Sequence, residues 1–409
     1  MTTRKDEFGE VFTPPTLVDE LLNALPAAVW RDPTHRFLDP CAGEGAFVHG
    51  MVARLMQGLA TVMKNEQTRR RHILGRMITM YDLNPANVRA LRRTFGQEAQ
   101  IERRDFLAAE GGTVPAPAWD VVVANPPFQT PKHATYTGAA GNRTLWDKFL
   151  VHALAKVSPR GYVAFITPAN WRRPDHPLYP VVTRQNTLLY LHVYDKAAGK
   201  TLFGVQSRFD LYVIQQGAST HPCHVVDQDG QLHRRIDPKA WPFLPNASYP
   251  LVKSYLKRGP PNTVIHDAGM YDARTLGTRK TAWPVVHTMT REGVGILFAK
   301  SPKAMSCAKS PTMSCAKSPT MSCAKPGTHC GHFGVPKVIL NFNEHLYPLN
   351  DWRGEYGMSQ LSFGLPVKNK KEGDALIRRL MSPEFQEVLR VCKWSAFQTD
   401  HRMFRYMNL

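Results

Sequence analysis

Arg36-Phe37-Leu38-Asp39-Pro40-Cys41-Ala42-Gly43-Glu44-Gly45-Ala46-Phe47 is the stretch that decides the fold. Arg36–Leu38 reads as the visible end of a short strand, and a helical pattern runs from about Ala46 to Gln57. Between them, Gly43 and Gly45 let the backbone bend and approach a ligand closely. The helix N-terminus offers free N–H groups to that ligand. A glycine-rich turn of this kind also serves plain strand-to-helix packing.

Working outward, the first half keeps alternating short apolar strands with helix-like segments. Residues 15–25 read as an amphipathic helix opened by Pro15. Met77–Tyr81 is a second strand, ending at Asp82, and Pro85–Phe95 a helix. Gln100–Arg103 is a third strand that ends near Asp105. Asp120–Ala124 is a fourth, running into Asn125. A helix over Leu145–Val157 leads to a fifth strand, Tyr162–Thr167, and Arg208–Gln215 is a late one. This alternation predicts an α/β doubly wound, Rossmann-like sheet. The second half is rich in Pro, His and Gly. Lys337–Asn341 reads there as a strand, and Glu372–Met381 and Pro383–Lys393 as helices. Ser382 suits the N-cap of the last, with Pro383 in its first position.

Two strand ends carry chemistry. Asp82 stands where an acidic side chain accepts ribose hydroxyls in nucleoside-binding α/β folds, although many a surface aspartate would match. Asn125-Pro126-Pro127-Phe128 is more telling. Its prolines remove two backbone donors and fix two φ angles, so the loop is stiff. A stiff loop presents the Asn125 side-chain carbonyl and the Pro126 main-chain carbonyl as fixed acceptors. Two acceptors aimed at an amino group hold its lone pair out of ring conjugation. Phe128 adds a face on which a planar base can stack. The bland reading is a rigid turn with a packed phenylalanine.

Order and spacing of these motifs resemble the amino-methyltransferases of DNA, in their gamma arrangement. That family has an FTP-type segment, a DPxxGxGxF motif and an NPPF or NPPY motif, in that order. Here they are Gly9-Glu10-Val11-Phe12-Thr13-Pro14-Pro15, Asp39 to Phe47, and Asn125 to Phe128. The resemblance runs from residue 8 to about 215. It implies an S-adenosylmethionine-dependent, N6-adenine-specific enzyme with a C-terminal α+β target recognition domain. Phe12, Thr13 and Pro14 would meet the methionine end of the cofactor. Asp39, Pro40, Gly43, Gly45 and Phe47 would line its floor, Asp82 would hold the ribose, and Asp105 and Phe106 would lie near its adenine. Asn125 and Pro126 would bind the target amino group, with Pro127 stiffening the loop and Phe128 stacking on the base. Thr201–Gln215 resembles the family's late hairpin and offers Phe203 or Phe209 as a second aromatic wall. The target base must leave the duplex to be reached. No cysteine nucleophile is needed, and Cys41 reads as a packing residue.

Composition fits this resemblance. The 409-residue chain carries a net charge of +19. Residues 1–220 hold 26 basic and 19 acidic residues, and 221–409 hold 26 and 14. A basic balance favours a polyanion, because neutralised phosphates release counterions, although a merely soluble basic protein has the same charge. The expected division is a catalytic domain over 1–220 and a DNA-binding recognition domain over 221–409. Lys368, Lys370, Lys371, Arg378 and Arg379 form a basic cluster in the latter. Residues 301–330 are a low-complexity insert with two copies of SPTMSCAK, expected to be a surface loop. The seven cysteines form no CxxC pair, and the eight-residue spacing of Cys307, Cys315 and Cys323 suggests repeat expansion rather than zinc; no metal is expected. Met1–Glu20 has no signal-peptide pattern and no apolar run suits a bilayer, so a soluble, cytoplasmic, DNA-associated protein is expected. The expected partner is double-stranded DNA. A separate cognate restriction endonuclease is compatible with it, and monomer or dimer stays open. Related loops also serve guanine N2 in RNA, cytosine N4 in DNA and glutamine in proteins. A non-catalytic DNA-binding protein on the same scaffold is the rival of another class.

Overall fold

Helix α1 (Pro15–Asn23) begins at a proline, whose missing N–H costs nothing at a helix start. Its Leu17, Val18, Leu21 and Leu22 are buried, the spacing of a single helix face. It belongs to a computed structural model that describes residues 12–108, 119–129, 144–266, 271–278, 283–300, 305–306, 328–329, 332–343, 345–395 and 398–409. The chain divides into two compact units, Met1–Ala247 and Ser248–Leu409.

The first unit is built on a nine-stranded sheet in the order β3-β2-β1-β4-β5-β7-β6-β8-β9. Its strands are β1 (Phe37–Asp39), β2 (Ile78–Asp82), β3 (Gln100–Arg103), β4 (Trp119–Ala124), β5 (Val157–Pro168), β6 (Thr187–Tyr194), β7 (Phe209–Gln215), β8 (Cys223–Val226) and β9 (Leu232–Ile236). The first five are parallel neighbours, and β7 lies antiparallel to both β5 and β6. Helices α2 (Ala46–Gly58), α3 (Pro85–Phe95) and α4 (Trp146–Lys156) follow β1, β2 and β4, and α5 (Lys196–Phe203) joins β6 to β7. One core joins α1 and α2 to the sheet through residues such as Leu22, Met51, Leu55, Phe37 and Val121. The chain steps from β1 to β2 on one side and to β4 on the other. In open parallel sheets, ligands bind outside the carboxyl ends of the strands at such a switch point.

This is the α/β fold that the alternation predicts, with two differences. Strand β6 and helix α5 were not anticipated: Thr187–Tyr194 has no clean alternation because buried and half-buried residues mix along it. The boundary expected at 220/221 also falls inside the first unit. Strand β8 adds parallel to β6, burying Cys223 and Val225, and β9 pairs with β8. Mostly exposed, β9 lacks the apolar run that marks a strand in sequence.

The second unit holds two three-stranded sheets. In one, β10 (Trp283–Thr290) lies between β11 (Gly293–Ala299) and β14 (Gly357–Met358). In the other, β12 (Lys337–Asn341) lies between β13 (Leu349–Asp351) and β15 (Ser362–Pro366). Every residue of β12 is buried, including Lys337, whose ammonium is 2.6 Å from the Asp351 carboxylate. Helices α6 (Lys370–Leu380) and α7 (Pro383–Val391) follow. Ser382 caps α7 by accepting the Phe385 N–H at 3.2 Å, as its sequence suggests. Lys368, Lys370, Lys371, Arg378 and Arg379 are all exposed. Met305–Ser306 pairs with Thr328–His329, whereas the repeats and Cys307, Cys315, Cys323 and Cys330 lie outside the described residues. Among the described residues no helix is long and apolar enough to cross a membrane, and no cluster of His, Cys, Asp and Glu suits a metal.

Candidate active site

Asp39 closes β1, and the chain turns at once into the glycine loop. Its Oδ1 accepts the Cys41 N–H at 3.2 Å. Its Oδ2 is buried and has no hydrogen-bond partner among the described residues. Burial raises the Asp39 pKa to about 8, and the nearby Asp82 charge pushes the same way. Gly43 and Gly45 both take positive φ, +55° and +93°. A side chain at Gly45 would place its Cβ 2.7 Å from the Phe95 ring, so α2 can start there only without one. A Cβ at Gly43 would meet nothing within 4 Å, so that side of the loop is open.

Asp82 ends β2 and binds this loop to its strand. Its Oδ2 accepts the Gly43 N–H at 2.8 Å, and its Oδ1 accepts the Asn84 N–H at 2.8 Å and Asn87 Nδ2 at 3.3 Å. Leu83, next to it, is 52 % exposed. An apolar side chain is left this exposed beside the glycine loop, in a strand-to-helix turn. Nothing in the sequence marked it, because one leucine in a strand-to-helix turn has no pattern.

Asn125 lies at the end of β4, beside β1. Its Nδ2 donates to the Thr13 hydroxyl at 3.1 Å. Among the described residues, that leaves Oδ1 of the amide for an outside donor. Pro126 is buried, whereas Pro127 and Phe128 are half-buried. The Phe128 carbonyl accepts the Leu145 N–H at 3.2 Å, and Gln129 bridges Thr144, which fixes the far end of the motif to the start of α4. Residues 130–143 lie outside the described residues, as do Gly9, Glu10 and Val11.

The structure therefore gathers Thr13, Asp39, Gly43, Asp82 and Asn125 at the carboxyl ends of β1, β2 and β4. Pro14 precedes α1, and its carbonyl accepts the Leu17 and Val18 N–H groups. Phe12 is 58 % exposed. Pro40 and Phe47 are buried, Phe47 as part of the core. Asp105 accepts the Leu107 N–H at 2.9 Å. Phe106 is buried against Phe149 and His152, with ring centroids 5.4 and 4.6 Å away.

Phe203 and Phe209 do not form an aromatic wall for a base. Both are buried in the core, packed edge to face, and Phe209 stacks on Tyr194 with centroids 4.5 Å apart. Cys41 is the packing residue expected. Its thiol points at the Asn125 carbonyl at 3.7 Å, and burial pushes its pKa up, away from the thiolate.

One cluster escaped the sequence reading. Glu20 of α1 accepts hydrogen bonds from Tyr190, His192 and Tyr194, all on β6. Burial alone would raise its pKa, but the bonds from His192, Tyr194 and Tyr190 outweigh that and hold it below the usual value. This clamp fixes α1, and α1 in turn fixes Thr13.

Residues 1–171 match the family model described as N-6 DNA methylase. A relative described as an uncharacterized adenine-specific methylase of Mycoplasma pneumoniae is 30% identical over 105 residues. That match spans 25% of this chain and 25% of the relative. The modification subunit of a putative type I restriction enzyme from Vibrio vulnificus is 15% identical, with a TM-score of 0.40 over 55% of this chain and 49% of that one. A type I restriction-modification methyltransferase subunit from Streptococcus thermophilus is 12% identical, with a TM-score of 0.41 over 61% and 49%. This chain thus spans about half the length of either solved structure, and both are too distant to carry any argument about substrate or partner. The stretch that matches the N-6 DNA methylase model, residues 1–171, contains both the DPxxGxGxF motif at the end of β1 and the NPPF motif at the end of β4.

Proposed function

We propose that this protein transfers the methyl group of S-adenosylmethionine to N6 of an adenine flipped out of duplex DNA. The observation that carries this reading is the placement of Asn125 across the switch point from Asp39, with its amide plane held by Thr13.

The residues present fit the cofactor. The Oδ2 of Asp39, without a partner among the described residues, suits the ammonium of the methionine end, and the open side of Gly43 allows backbone approach. Thr13, Pro14, Asp39, Gly43 and Gly45 would hold that end, Asp82 the ribose, and Leu83 with Asp105 and Phe106 the region of the adenine. When bound, S-adenosylmethionine supplies a methyl group already activated on sulfur. What this chain then does is orient. Asn125 Oδ1 and the Pro126 carbonyl accept the two protons of the target amine. They hold its lone pair out of the ring and stabilise the positive charge that grows on N6. Phe128 stacks on the base, and the solvent-facing cations of the second unit are candidates for sequence-independent phosphate contact. No covalent enzyme intermediate is required. A cognate restriction endonuclease would be a separate protein acting at the same sites.

The test incubates purified protein with tritiated-methyl S-adenosylmethionine and mixed-sequence duplex DNA, RNA or bulk protein. Labelled product is then digested to monomers. N6-methyladenine in DNA is the expected product. Label on cytosine N4, guanine N2 or glutamine would keep the scaffold and replace the substrate. DNA binding with no transfer to any acceptor would favour a non-catalytic binding protein.

A further inference from the structure

Beside the catalytic motif, the first unit contains a cleft of about 690 Å³ that the proposed chemistry does not use. Its volume falls within the range of roughly 300–1,000 Å³ typical of ligand sites. One wall is the first half of α4, with Lys148 and His152. The other is the segment that leaves β5, with Asn170, Arg173 and His176.

The two walls follow neighbouring strands of the sheet. Strands β4 and β5 are parallel neighbours, with Ala124 opposite Phe165, so their carboxyl ends emerge side by side. Asn125 leaves one and Asn170 the other. On the α4 side, the Leu145 N–H is bonded to the Phe128 carbonyl. Thr144 and Trp146, which line the cleft, flank that Leu145.

Its chemistry is that of an anion site. Lys148 and Arg173 bring positive charge, His152 and His176 bring ring N–H donors, and Asn170 brings an amide. The one carboxylate in the lining, Asp147, is occupied within its own helix turn. Its Oδ2 accepts the Thr144 hydroxyl at 3.0 Å and its Oδ1 the Lys148 N–H at 2.9 Å.

The β5 wall is also rigid. Arg172, next to Arg173, is fully buried and forks onto Asp210 at 2.7 and 3.0 Å. The same guanidinium donates to the Leu244 and Pro245 carbonyls and to Asn246. Asn170 and Arg173 thus stand on a fixed backbone.

We propose that this cleft binds the phosphodiester and sugar of the nucleotide next to the flipped adenine, on the same strand. This rests on the reading of the chain as a DNA adenine methyltransferase. Extruding a base leaves the flanking phosphates strained, and a rigid cationic slot beside the base pocket holds them in register. Such contacts position the strand without reading its sequence.

The test is fluorescence anisotropy of a labelled mixed-sequence duplex, titrated across salt, with wild type, Lys148→Ala, Arg173→Ala and Arg173→Lys. S-Adenosylmethionine affinity and circular dichroism are measured in parallel. Each alanine variant is expected to weaken duplex binding several-fold and to lower the slope of log affinity on log salt by about one. Arg173→Lys keeps the slope, and cofactor affinity stays at the wild-type level. Unchanged duplex affinity and slope in folded alanine variants would overturn the proposal and leave the methyltransferase reading standing. Loss confined to cofactor binding would also overturn it. Tight binding of free adenosine monophosphate, with duplex binding untouched in the variants, would reassign the cleft to a mononucleotide. A wild-type protein that neither binds nor methylates duplex DNA would remove this proposal together with the reading beneath it.

Discussion

Asn125 and Thr13 are 112 positions apart in the sequence and share a hydrogen bond, 3.1 Å from the Asn125 amide nitrogen to the Thr13 hydroxyl. That bond sets which end of the amide faces outward. A carbonyl facing outward accepts from an amine, and an NH₂ facing outward repels it.

Thr13 is accordingly expected to act through Asn125. Thr13→Val keeps the shape and removes the acceptor, which frees the amide to turn. The expected result is a fall in kcat of about ten-fold, on the scale of one hydrogen bond to a developing charge. Thr13→Ser restores most of it. If kcat is unchanged and only the KM for S-adenosylmethionine rises, Thr13 touches the cofactor alone.

Asn125 itself should matter more. Asn125→Ala removes one of the two acceptors aimed at the amine, and a loss of about 10²–10³-fold in kcat follows. S-Adenosylmethionine affinity, measured by calorimetry on the same variant, stays near wild type. Near-normal turnover would dispose of the proposed role.

Asp39 is expected to link cofactor binding to pH. Its pKa stands near 8, against 3.8 for an ordinary aspartate, because it is buried. A cationic ligand selects the ionised form. Affinity for S-adenosylmethionine should therefore rise with pH up to about 8 and then level, with a proton released on binding at lower pH. The stability sign is opposite. The folded state holds this proton more tightly than the unfolded chain, so Asp39 costs stability as pH climbs from 3.8 towards 8. Asp39→Asn removes that cost and should melt higher than wild type near the top of this range. The same change weakens cofactor binding by about ten-fold or more. A variant that binds the cofactor normally at every pH would show that Asp39 meets only the protein.

Glu20 has the ordinary sign. Its pKa is held below 4.5, so its bonds to β6 stabilise the fold above that pH and are lost as pH falls through the lowered value. Thermal melts of wild type against Glu20→Gln should diverge above about pH 5 and converge in acid. The gap is about 1–2 kcal/mol, the scale of charge-assisted bonds at a partly exposed site. Curves that stay parallel down to acid would mean the clamp contributes nothing.

Much of the first unit was legible because its signals are local. A strand running into Asp39 and two glycines announces its own turn, and both positive φ angles fall on those glycines. The stiff turn at Pro126 and Pro127 is dictated within four residues. Ser382 and Pro383 open their helix as their side chains require. What failed depended on neighbours far away. The resemblance offers Phe203 or Phe209 as an aromatic wall, yet β7 is inserted between β5 and β6 and Phe209 is buried there. The domain boundary moved because β9 is a strand only by virtue of pairing with β8.

The sequence by itself determined which chemical groups this protein has and which turn or helix start each occupies, since short-range sterics and hydrogen bonds act within a few residues. Only the tertiary structure decided which of them meet. Whether Thr13 reaches Asn125, whether Glu20 finds three donors on β6, and whether Lys148 and Arg173 face one cleft all depend on strand order and on the burial of apolar surface across the sheet. Those are properties of the packed chain, in which contacts between distant residues fix positions that no local pattern encodes.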